Sequence, residues 1–316
     1  MKVIFLGTPE FGKIVLEKLL SSKHQVVAVV CQEDKPTGRG NKITMPPVKV
    51  LAIKNNIPVY QFKKIRIDGV DTLKALKADI MVTAAYGQIL SQEIIDICPH
   101  KIINVHGSLL PKYRGATPIQ QSIIDGESET GVTIMQTEAG IDTGDIILQQ
   151  SLKIEQNDTY GTLSQKLAEV GGDLVVKALD LIEIGKATFT KQNETLATHT
   201  KMIKKDENII DFYKTAIQIV NFVRGLNPNP VAIFKIKENS FKVFSAQIYQ
   251  NYNKIENYNS YQIGQVVLSS AKKGLVIKCN GGAVEIIEML APNSKMMLAK
   301  NYLNGKSIEV GAICNE

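Results

Sequence analysis

The chain has 316 residues, of which 44% are hydrophobic and 22% charged, so it is long enough for two domains and has the composition of a globular protein. It contains no run of about 18 apolar residues, so no transmembrane helix is predicted, and its first residues read as a strand entering a turn rather than a signal peptide. We therefore expect a cytoplasmic protein without a membrane partner.

The net charge of +6 is unevenly distributed along the chain. Residues 1–190 contain 21 Lys and Arg against 21 Asp and Glu, so residues 191–316 carry the whole positive excess. Basic surfaces attract phosphate groups. If the protein binds a nucleic acid, we expect the C-terminal part to contact its phosphates.

The cysteines and histidines lack the spacing of metal ligands. The cysteines are scattered through apolar surroundings without a Cys-x-x-Cys pair, which favours free thiols. Among the four histidines, only His106 has polar neighbours at a strand end. We therefore predict no metal site.

Apolar periodicity in the first ninety residues predicts strands alternating with helices. The predicted strands are 2–6, 25–31, 57–61 and 78–85, and the predicted helices follow residue 12 and cover 47–55 and 70–77. This alternation is typical of a parallel sheet with helices on both faces, a Rossmann-like α/β fold. The first turn, residues 7–12, lacks the Gly-x-Gly-x-x-Gly spacing, which argues against a dinucleotide cofactor.

Two polar stretches interrupt this pattern. Residues 32–45 form a basic loop that includes Arg39 and Lys42, which by itself is typical of an exposed surface loop. Residues 86–90 follow the carboxyl end of the predicted strand 78–85, although Ile89 and Leu90 alone would be assigned to the core.

The next predicted strand carries two polar side chains, Asn104 and His106, within an apolar run. Period two places both on one face, at the point where the strand gives way to a loop. In open α/β sheets ligands bind outside the carboxyl ends of strands. An Asn amide suits a developing oxyanion, His transfers protons near neutral pH, and a carboxylate such as Asp142 can orient and charge the imidazole. The three would suit acyl transfer, but a lone Asn and His on a strand are more often hydrogen-bonded structural residues.

The remaining sequence predicts one long helix, a linker and a region of short strands. A helix over 117–125 and strands over 132–136 and 146–152 precede the long helix 161–185, which we expect to be broken or bent at Gly171 and Gly172. Polar residues then indicate a linker over 191–206, between domains 1–190 and 207–316. The last domain has a helix near 217–226 and predicted strands 231–237, 241–248, 265–268, 275–278 and 283–287. Five short strands suit a small barrel.

Five segments carry a resemblance that covers nearly the whole chain. They are FLGTPEFG (5–12), DKPTGRG (34–40), AAYGQIL (84–90), NVHGSLLPKYRGATPIQ (104–120) and ETGVTIMQTEAGIDTGD (129–145). In this order they resemble the formyltransferase family that uses 10-formyltetrahydrofolate, and its members that act on methionyl initiator tRNA most closely. The resemblance implies a Rossmann-like catalytic domain followed by an OB-like β-barrel domain.

The resemblance also implies a reaction and roles for individual residues. The formyl group of 10-formyltetrahydrofolate would pass to the α-amine of methionine on initiator tRNA, with Asn104 at the oxyanion and His106 and Asp142 handling protons. No metal would be required. The residues expected to contact folate are Tyr86, Gly87, Ile89, Leu90, Ser108, Leu109, Leu110 and Pro111, and those expected to contact tRNA are Arg39, Lys42, Lys204 and Lys205.

Departures from the family pattern concern aromatic residues. The chain has no tryptophan, and Tyr113 and Asn229 stand where the family commonly has one. The alternatives left open are a formyltransferase acting on a small amine, a formyltetrahydrofolate hydrolase, and a folate- or RNA-binding regulator without catalysis. We expect a monomer with no obligate protein partner.

Overall fold

A seven-stranded sheet forms the centre of the N-terminal part of the chain in the computed structural model, which describes residues 1–37, 40–204 and 206–316. The order of its strands is β10-β9-β7-β6-β1-β2-β5, and two further pairs, β3 with β4 and β8 with β11, lie outside it. The strands are β1 (Lys2–Gly7), β2 (Gln25–Cys31), β3 (Lys35–Thr37), β4 (Lys42–Thr44), β5 (Val59–Gln61), β6 (Ile80–Ala84), β7 (Ile102–His106), β8 (Arg114–Gly115), β9 (Glu129–Gln136), β10 (Ile146–Lys153) and β11 (His199–Thr200).

The strands β5, β2, β1, β6 and β7 are parallel, and β9 and β10 extend the sheet in antiparallel fashion. The predicted Rossmann-like fold is therefore confirmed. The predicted loop over 32–45 is not entirely irregular, because β3 and β4 pair within it. In a parallel sheet the carboxyl ends of the strands meet at one edge, and this edge carries the ends of β6 and β7.

Helices cover both faces of this sheet. One face packs Ile4, Leu6 and Ile102 together with Leu73 and Ile94 of the helices in one buried cluster. In chain order, the helices before residue 184 are α1 (Glu10–Leu20), α2 (Pro47–Lys54), α3 (Ile65–Asp68), α4 (Val70–Ala75), α5 (Gln92–Ile95), α6 (Pro118–Ile124) and α7 (Tyr160–Glu183). Residues 119–124 of α6 belong to the compact unit that contains the C-terminal sheet.

The helix α7 covers the opposite face of β7 and is continuous, so the break predicted at Gly171 and Gly172 is wrong. A Cβ added to Gly171 would lie 2.7 Å from Cγ1 of Val105, and one added to Gly172 would lie 2.5 Å from Cγ of Lys18 on α1. These glycines therefore allow α7 to approach the sheet and α1 closely. The stabilisation from that packing outweighs the roughly 1 kcal/mol by which glycine disfavours a helix interior relative to alanine.

The C-terminal part is an antiparallel sheet of order β12-β13-β16-β15-β14, with β17 beside β16. The backbone of residues 311–315 joins the two ends of this path, because Ala312 accepts from the N–H of Val266 at 2.9 Å and Asn315 donates to the carbonyl of Lys235 at 2.8 Å. Its elements are α8 (Ala216–Leu226), β12 (Ala232–Ile236), β13 (Asn239–Ile248), β14 (Val266–Ser270), β15 (Gly274–Cys279), β16 (Gly282–Leu290), β17 (Met297–Leu298) and α9 (Ala299–Gly305). The predicted small barrel domain is confirmed as a strand-rich unit of this kind.

Arg224 of α8 forms hydrogen bonds with the loop that contains residues 155–158, in the same compact unit. One guanidinium nitrogen, Nη1, donates to the carbonyl oxygens of Glu155, Gln156 and Asp158 at 3.2, 2.9 and 3.0 Å, and Nη2 donates to Oδ1 of Asn221 at 2.7 Å. The arginine therefore connects α8 to the backbone of residues 155–158.

The chain divides into two compact units. The N-terminal unit comprises Met1–Pro118, Glu129–Lys153 and Leu163–Thr200, and the C-terminal unit comprises Ile119–Ser128, Ile154–Thr162 and Lys201–Glu316. The predicted boundaries at residues 190 and 206 stay a prediction. None of the helices within the described ranges has both the length and the apolar character needed to cross a membrane.

Candidate active site

The carboxyl end of β7 presents Asn104 and His106 on the face of the strand that also carries the buried Ile102. The hydroxyl of Thr83, on the neighbouring strand β6, donates to Oδ1 of Asn104 at 2.8 Å. Since the hydroxyl donates to the oxygen of the amide, the nitrogen Nδ2 faces the other way. It lies 3.5 Å from Oδ1 of Asp142, to which it donates.

The imidazole of His106 is only 6% exposed and is held by the loop that follows β7. Its Nε2 lies 3.0 Å from the carbonyl oxygen of Tyr113. A carbonyl only accepts hydrogen bonds, so Nε2 carries a proton and donates it. The other ring nitrogen, Nδ1, is therefore the atom that exchanges protons, and it lies 3.6 Å from Oδ2 of Asp142.

The carboxylate of Asp142 lies between these two groups. Its Oδ2 accepts a 2.8 Å hydrogen bond from the backbone N–H of Gly115, in addition to the contacts with Asn104 and His106. The backbone of Asp142 has a φ of 52°, a left-handed conformation that Asp and Asn tolerate better than most residues. The three residues predicted to be catalytic are thus brought together at one strand end.

Behind this site, Gln192 holds the turn that contains Asp142. Its Nε2 donates to the carbonyl oxygens of Asp142 and Gly144, both at 2.8 Å. Its Oε1 accepts from Nε of Arg114 at 3.0 Å. Arg114 is 1% exposed, and its guanidinium donates to both carboxylate oxygens of Glu194 at 2.9 and 2.7 Å.

The charge of Arg114 and that of Glu194 stabilise each other. Hydrogen bonding to Glu194 raises the pKa of the Arg114 guanidinium, and the same bonds lower the pKa of the Glu194 carboxyl below its ordinary value of 4.5. A bidentate pair of this kind fixes both orientation and charge. Arg114 is therefore a charged group that this fold can bury.

Residues 192–200, which we call the support segment, also hold the loop between β7 and α6. The N–H of Tyr113 donates to Oγ1 of Thr198 at 2.8 Å, and β11 pairs in parallel with β8. Gly115 has a φ of 111°, and a Cβ there would collide with the carbonyl oxygen of Thr200. A glycine at 115 is therefore required where the support segment meets the N–H that binds Asp142.

Sequence reasoning missed Thr83, Arg114, Gln192, Glu194 and Thr198. Arg114 lies within the motif that carries the resemblance, and that position was the available signal. Nothing in the local sequence indicates that residues about 80 positions apart form an ion pair. The support segment has the polar composition of a linker, which is how it was interpreted.

In the loop after β7 that is predicted to contact folate, some side chains are already hydrogen-bonded or buried within the protein. The hydroxyl of Ser108 donates to the carbonyl of Lys112 at 2.7 Å, and the side chains of Ser108 and Leu110 are buried. Leu109 and Pro111 are half-buried and remain accessible to a ligand. Contacts of Ser108 and Leu110 with a ligand would therefore involve backbone atoms more readily than side chains.

The second predicted folate segment follows β6. Tyr86 is buried, burial raises the pKa of its phenol, and its carbonyl accepts from Oγ1 of Thr8 and Nε2 of Gln32, both at 3.1 Å. Leu90 packs against the buried cluster, whereas Ile89 is 78% exposed. Ile89 is not a core residue as its sequence alone suggested, and its exposed side chain is available to a ligand. Gly87 has a φ of 83°, a left-handed conformation that makes a sharp turn between Tyr86 and Ile89.

Two of the predicted tRNA contacts can be placed. Lys42 is exposed on β4 in the N-terminal unit. Lys204 is exposed in the C-terminal unit, where its N–H donates to Oε2 of Glu207 at 2.8 Å. Arg39 and Lys205 lie outside the described residues. Among the residues that the structure describes, no three or more His, Cys, Asp or Glu form a group that could hold a metal ion.

Comparisons with known proteins agree with this architecture. A family model described as formyl transferase matches residues 1–179, and one described as formyl transferase, C-terminal domain, matches residues 202–307. Methionyl-tRNA formyltransferase of Acetivibrio thermocellus is 42% identical over 100% of both chains, and that of Agathobacter rectalis is 40% identical over 99% of both chains.

Solved structures show the same fold at lower identity. The crystal structure of WlaRD, a sugar 3N-formyl transferase, has a TM-score of 0.64 at 20% identity and covers 93% of this chain and 99% of its own. HypX of Aquifex aeolicus with tetrahydrofolic acid has a TM-score of 0.66 at 17% identity and covers 96% of this chain and 47% of its own. From these matches and the site geometry, we conclude that the chain belongs to the formyltransferase family.

Proposed function

We propose that this protein transfers the formyl group of 10-formyltetrahydrofolate to the α-amine of methionine on initiator tRNA, giving N-formylmethionyl-tRNA. The convergence of Asn104, His106 and Asp142 at the carboxyl end of β7 carries the proposal. The full-length similarity to relatives named methionyl-tRNA formyltransferase favours methionyl-tRNA over a small amine as the formyl acceptor. The folate is a co-substrate in this reaction and is released as tetrahydrofolate.

The geometry supports a specific division of labour. The amine nitrogen forms a bond to the formyl carbon, and the N–H of Asn104 that does not face Asp142 stabilises the oxyanion of the tetrahedral intermediate. Nδ1 of His106 takes the proton from the amine, and the Asp142 carboxylate, 3.6 Å away, stabilises the imidazolium. The bond from carbon to N10 then breaks, and the proton passes to N10.

The tRNA part of the proposal rests on charge. Residues 191–316 have six more Lys and Arg than Asp and Glu, and relatives that match the whole chain are named for a tRNA substrate. We assign the tRNA contacts to Arg39, Lys42, Lys204 and Lys205, and the folate contacts to residues 86–90 and 108–111. The protein acts as a cytoplasmic monomer in this proposal, which size-exclusion chromatography coupled to light scattering would test.

A direct assay tests the function. The protein is incubated with 10-formyltetrahydrofolate and charged initiator tRNA, and parallel reactions contain free methionine, an amino sugar nucleotide, or water alone. We expect a formyl group on the α-amine of the methionyl-tRNA and no formylated product in any of the control reactions. Formylation of the small amine would reassign the acceptor, and release of formate in water alone would indicate a hydrolase.

A further inference from the structure

We propose that Gln192 is a positioning residue that holds the carboxylate of Asp142 against His106, an inference that rests on the proposed function. The residue does not touch the reacting groups itself. It acts through the backbone of the turn that carries Asp142, and its own orientation is set by Arg114. The support segment therefore determines where the carboxylate lies.

The first link joins the amide nitrogen of Gln192 to the turn. Its two N–H groups are shared between two carbonyl oxygens, those of Asp142 and Gly144, both at 2.8 Å. These carbonyls flank the middle of the turn, so the amide binds the turn at both ends. Gln192 is buried, and water therefore competes poorly for these carbonyls.

The second link fixes which way the amide of Gln192 faces. Oxygen and nitrogen of a side-chain amide are assigned by their partners. The guanidinium of Arg114 has donors only, so the atom of Gln192 at 3.0 Å from Nε is the oxygen, and the NH₂ group must face the carbonyls of the turn. Glu194 holds Arg114 through two charge-assisted hydrogen bonds, at 2.9 and 2.7 Å.

The third link joins the turn to the site. The Asp142 carboxylate accepts from the N–H of Gly115 at 2.8 Å, and its backbone has a left-handed φ of 52° within the turn. A displacement of the turn would lengthen this bond and the 3.6 Å contact with Nδ1 of His106 together. Misplacement of a catalytic group by about 1 Å can cost roughly 10²-fold in rate.

The test uses Gln192→Glu, which keeps an acceptor for Arg114 but loses both donors to the turn. The matched control is Gln265→Glu in the C-terminal unit, where Nε2 donates to the carbonyl of Gly311 at 3.0 Å. We expect kcat of Gln192→Glu with charged tRNA to fall about 10²-fold and that of the control to stay within about twofold of the parent. Gln192→Met, which has no donors and the same length, serves if Gln192→Glu does not fold.

A double-mutant cycle separates positioning from general destabilisation. In an Asp142→Asn background the carboxylate is already lost, so Gln192→Glu should lower kcat by less than about threefold. An equal loss of kcat in both backgrounds, or a normal kcat for Gln192→Glu alone, would overturn the proposal.

An activity-independent measurement keeps this inference separate from the proposed function. Hydrogen exchange of the Gly115 amide reports whether the Asp142 carboxylate still covers it. We expect faster exchange at Gly115 in Gln192→Glu and an unchanged rate in Gln265→Glu, even if the parent formylates no tRNA. Unchanged exchange at Gly115 in both variants would show that Gln192 does not hold the turn.

Discussion

Arg114 in the N-terminal unit and Arg224 in the C-terminal unit differ in the groups that their guanidinium groups bind. Arg114 in the N-terminal unit pairs with a carboxylate, Glu194, and hydrogen bonding to that carboxylate raises the pKa of the guanidinium. Arg224 in the C-terminal unit donates to three backbone carbonyls and an Asn side chain, and burial lowers its pKa. The ion-paired arginine supports a site through Gln192, whereas Arg224 fastens a loop.

This difference predicts a separation of effects between the two regions. Substitutions around Asp142 should lower activity more than stability, and substitution of Arg224 should lower stability more than activity. Measurement of both quantities for each variant therefore tests the comparison directly.

The largest effect is expected for Asn104→Ala. Loss of one oxyanion donor typically lowers kcat by about 10²–10³, and Asn104 is half-buried, so the melting temperature should change little. Steady-state kinetics with charged tRNA and a folate-binding titration provide the measurement, with Asn301→Ala on the exposed surface of α9 as the control. Near-normal turnover in folded Asn104→Ala would remove Asn104 from the mechanism.

A somewhat smaller loss is expected for Asp142→Asn. The amide keeps the size of the side chain and tolerates the left-handed φ of 52°, so the substitution removes charge without straining the turn. A neutral amide cannot stabilise an imidazolium, and we expect kcat to fall about 10²-fold with a changed pH–rate profile. An unchanged rate and profile would mean that Asp142 only shapes the turn.

In the C-terminal unit, Arg224→Met should behave in the opposite way. The substitution removes the hydrogen bonds from the guanidinium to the carbonyls of residues 155, 156 and 158 and to Asn221, and each such bond typically contributes about 1 kcal/mol to the free energy of unfolding. Thermal unfolding should show a clear decrease, while kcat at a permissive temperature should remain close to that of the parent. Arg66→Met, at an exposed position of α3, is the control. A large loss of kcat with normal stability would contradict the separation.

A smaller effect on binding is expected from the basic charge of the C-terminal unit. Lys204→Ala combined with Lys205→Ala should weaken tRNA binding and flatten its salt dependence, because each phosphate contact on a duplex contributes roughly −0.9 to the log–log slope. Lys74→Ala in the N-terminal unit removes an exposed lysine paired with Glu93 and serves as the control. Equal slopes for the parent and the double variant would exclude these two lysines from the interface.

The smallest effect is expected for the pH dependence of the stability that the Arg114–Glu194 ion pair contributes. The pKa of Glu194 is lower in the folded protein than its ordinary value of 4.5, so its contribution to stability is present above that pH and is lost as the pH falls through the folded pKa. The melting temperature of the parent should therefore exceed that of Glu194→Gln at neutral pH, and this difference in melting temperature should disappear in acid. A constant difference at all pH values would indicate that packing, not charge, accounts for it.

Much of the fold was predictable because its signals are local. The apolar runs of β1, β2, β6 and β7 and the helical spacing after residue 12 identify a parallel sheet with helices between its strands. Asn104 and His106 stand out because polar side chains at period two interrupt an apolar strand. Long helix α7 was predicted, but its glycines were misinterpreted, since the closeness of Val105 and Lys18 cannot be read from the helix sequence.

The support of the site was not predictable for a related reason. Strands β8 and β11 are only two residues long, which is too short for any periodicity. Burial of Arg114 depends on Glu194, which is 80 positions away in sequence. The residues that we propose for the chemistry therefore follow from local pattern, and the residues that hold them in place follow only from tertiary contacts.

The position of the support segment determines where a gene fusion can cut the chain without disrupting the candidate active site. The N-terminal family match ends at residue 179, before Gln192 and Glu194. A gene fusion made at that boundary would transfer Asn104, His106 and Asp142 without Gln192 and Glu194, so Arg114 would lose the hydrogen bonds that these two residues accept. We therefore expect a fusion that keeps the proposed site intact to extend at least to Thr200, beyond the end of the N-terminal family match.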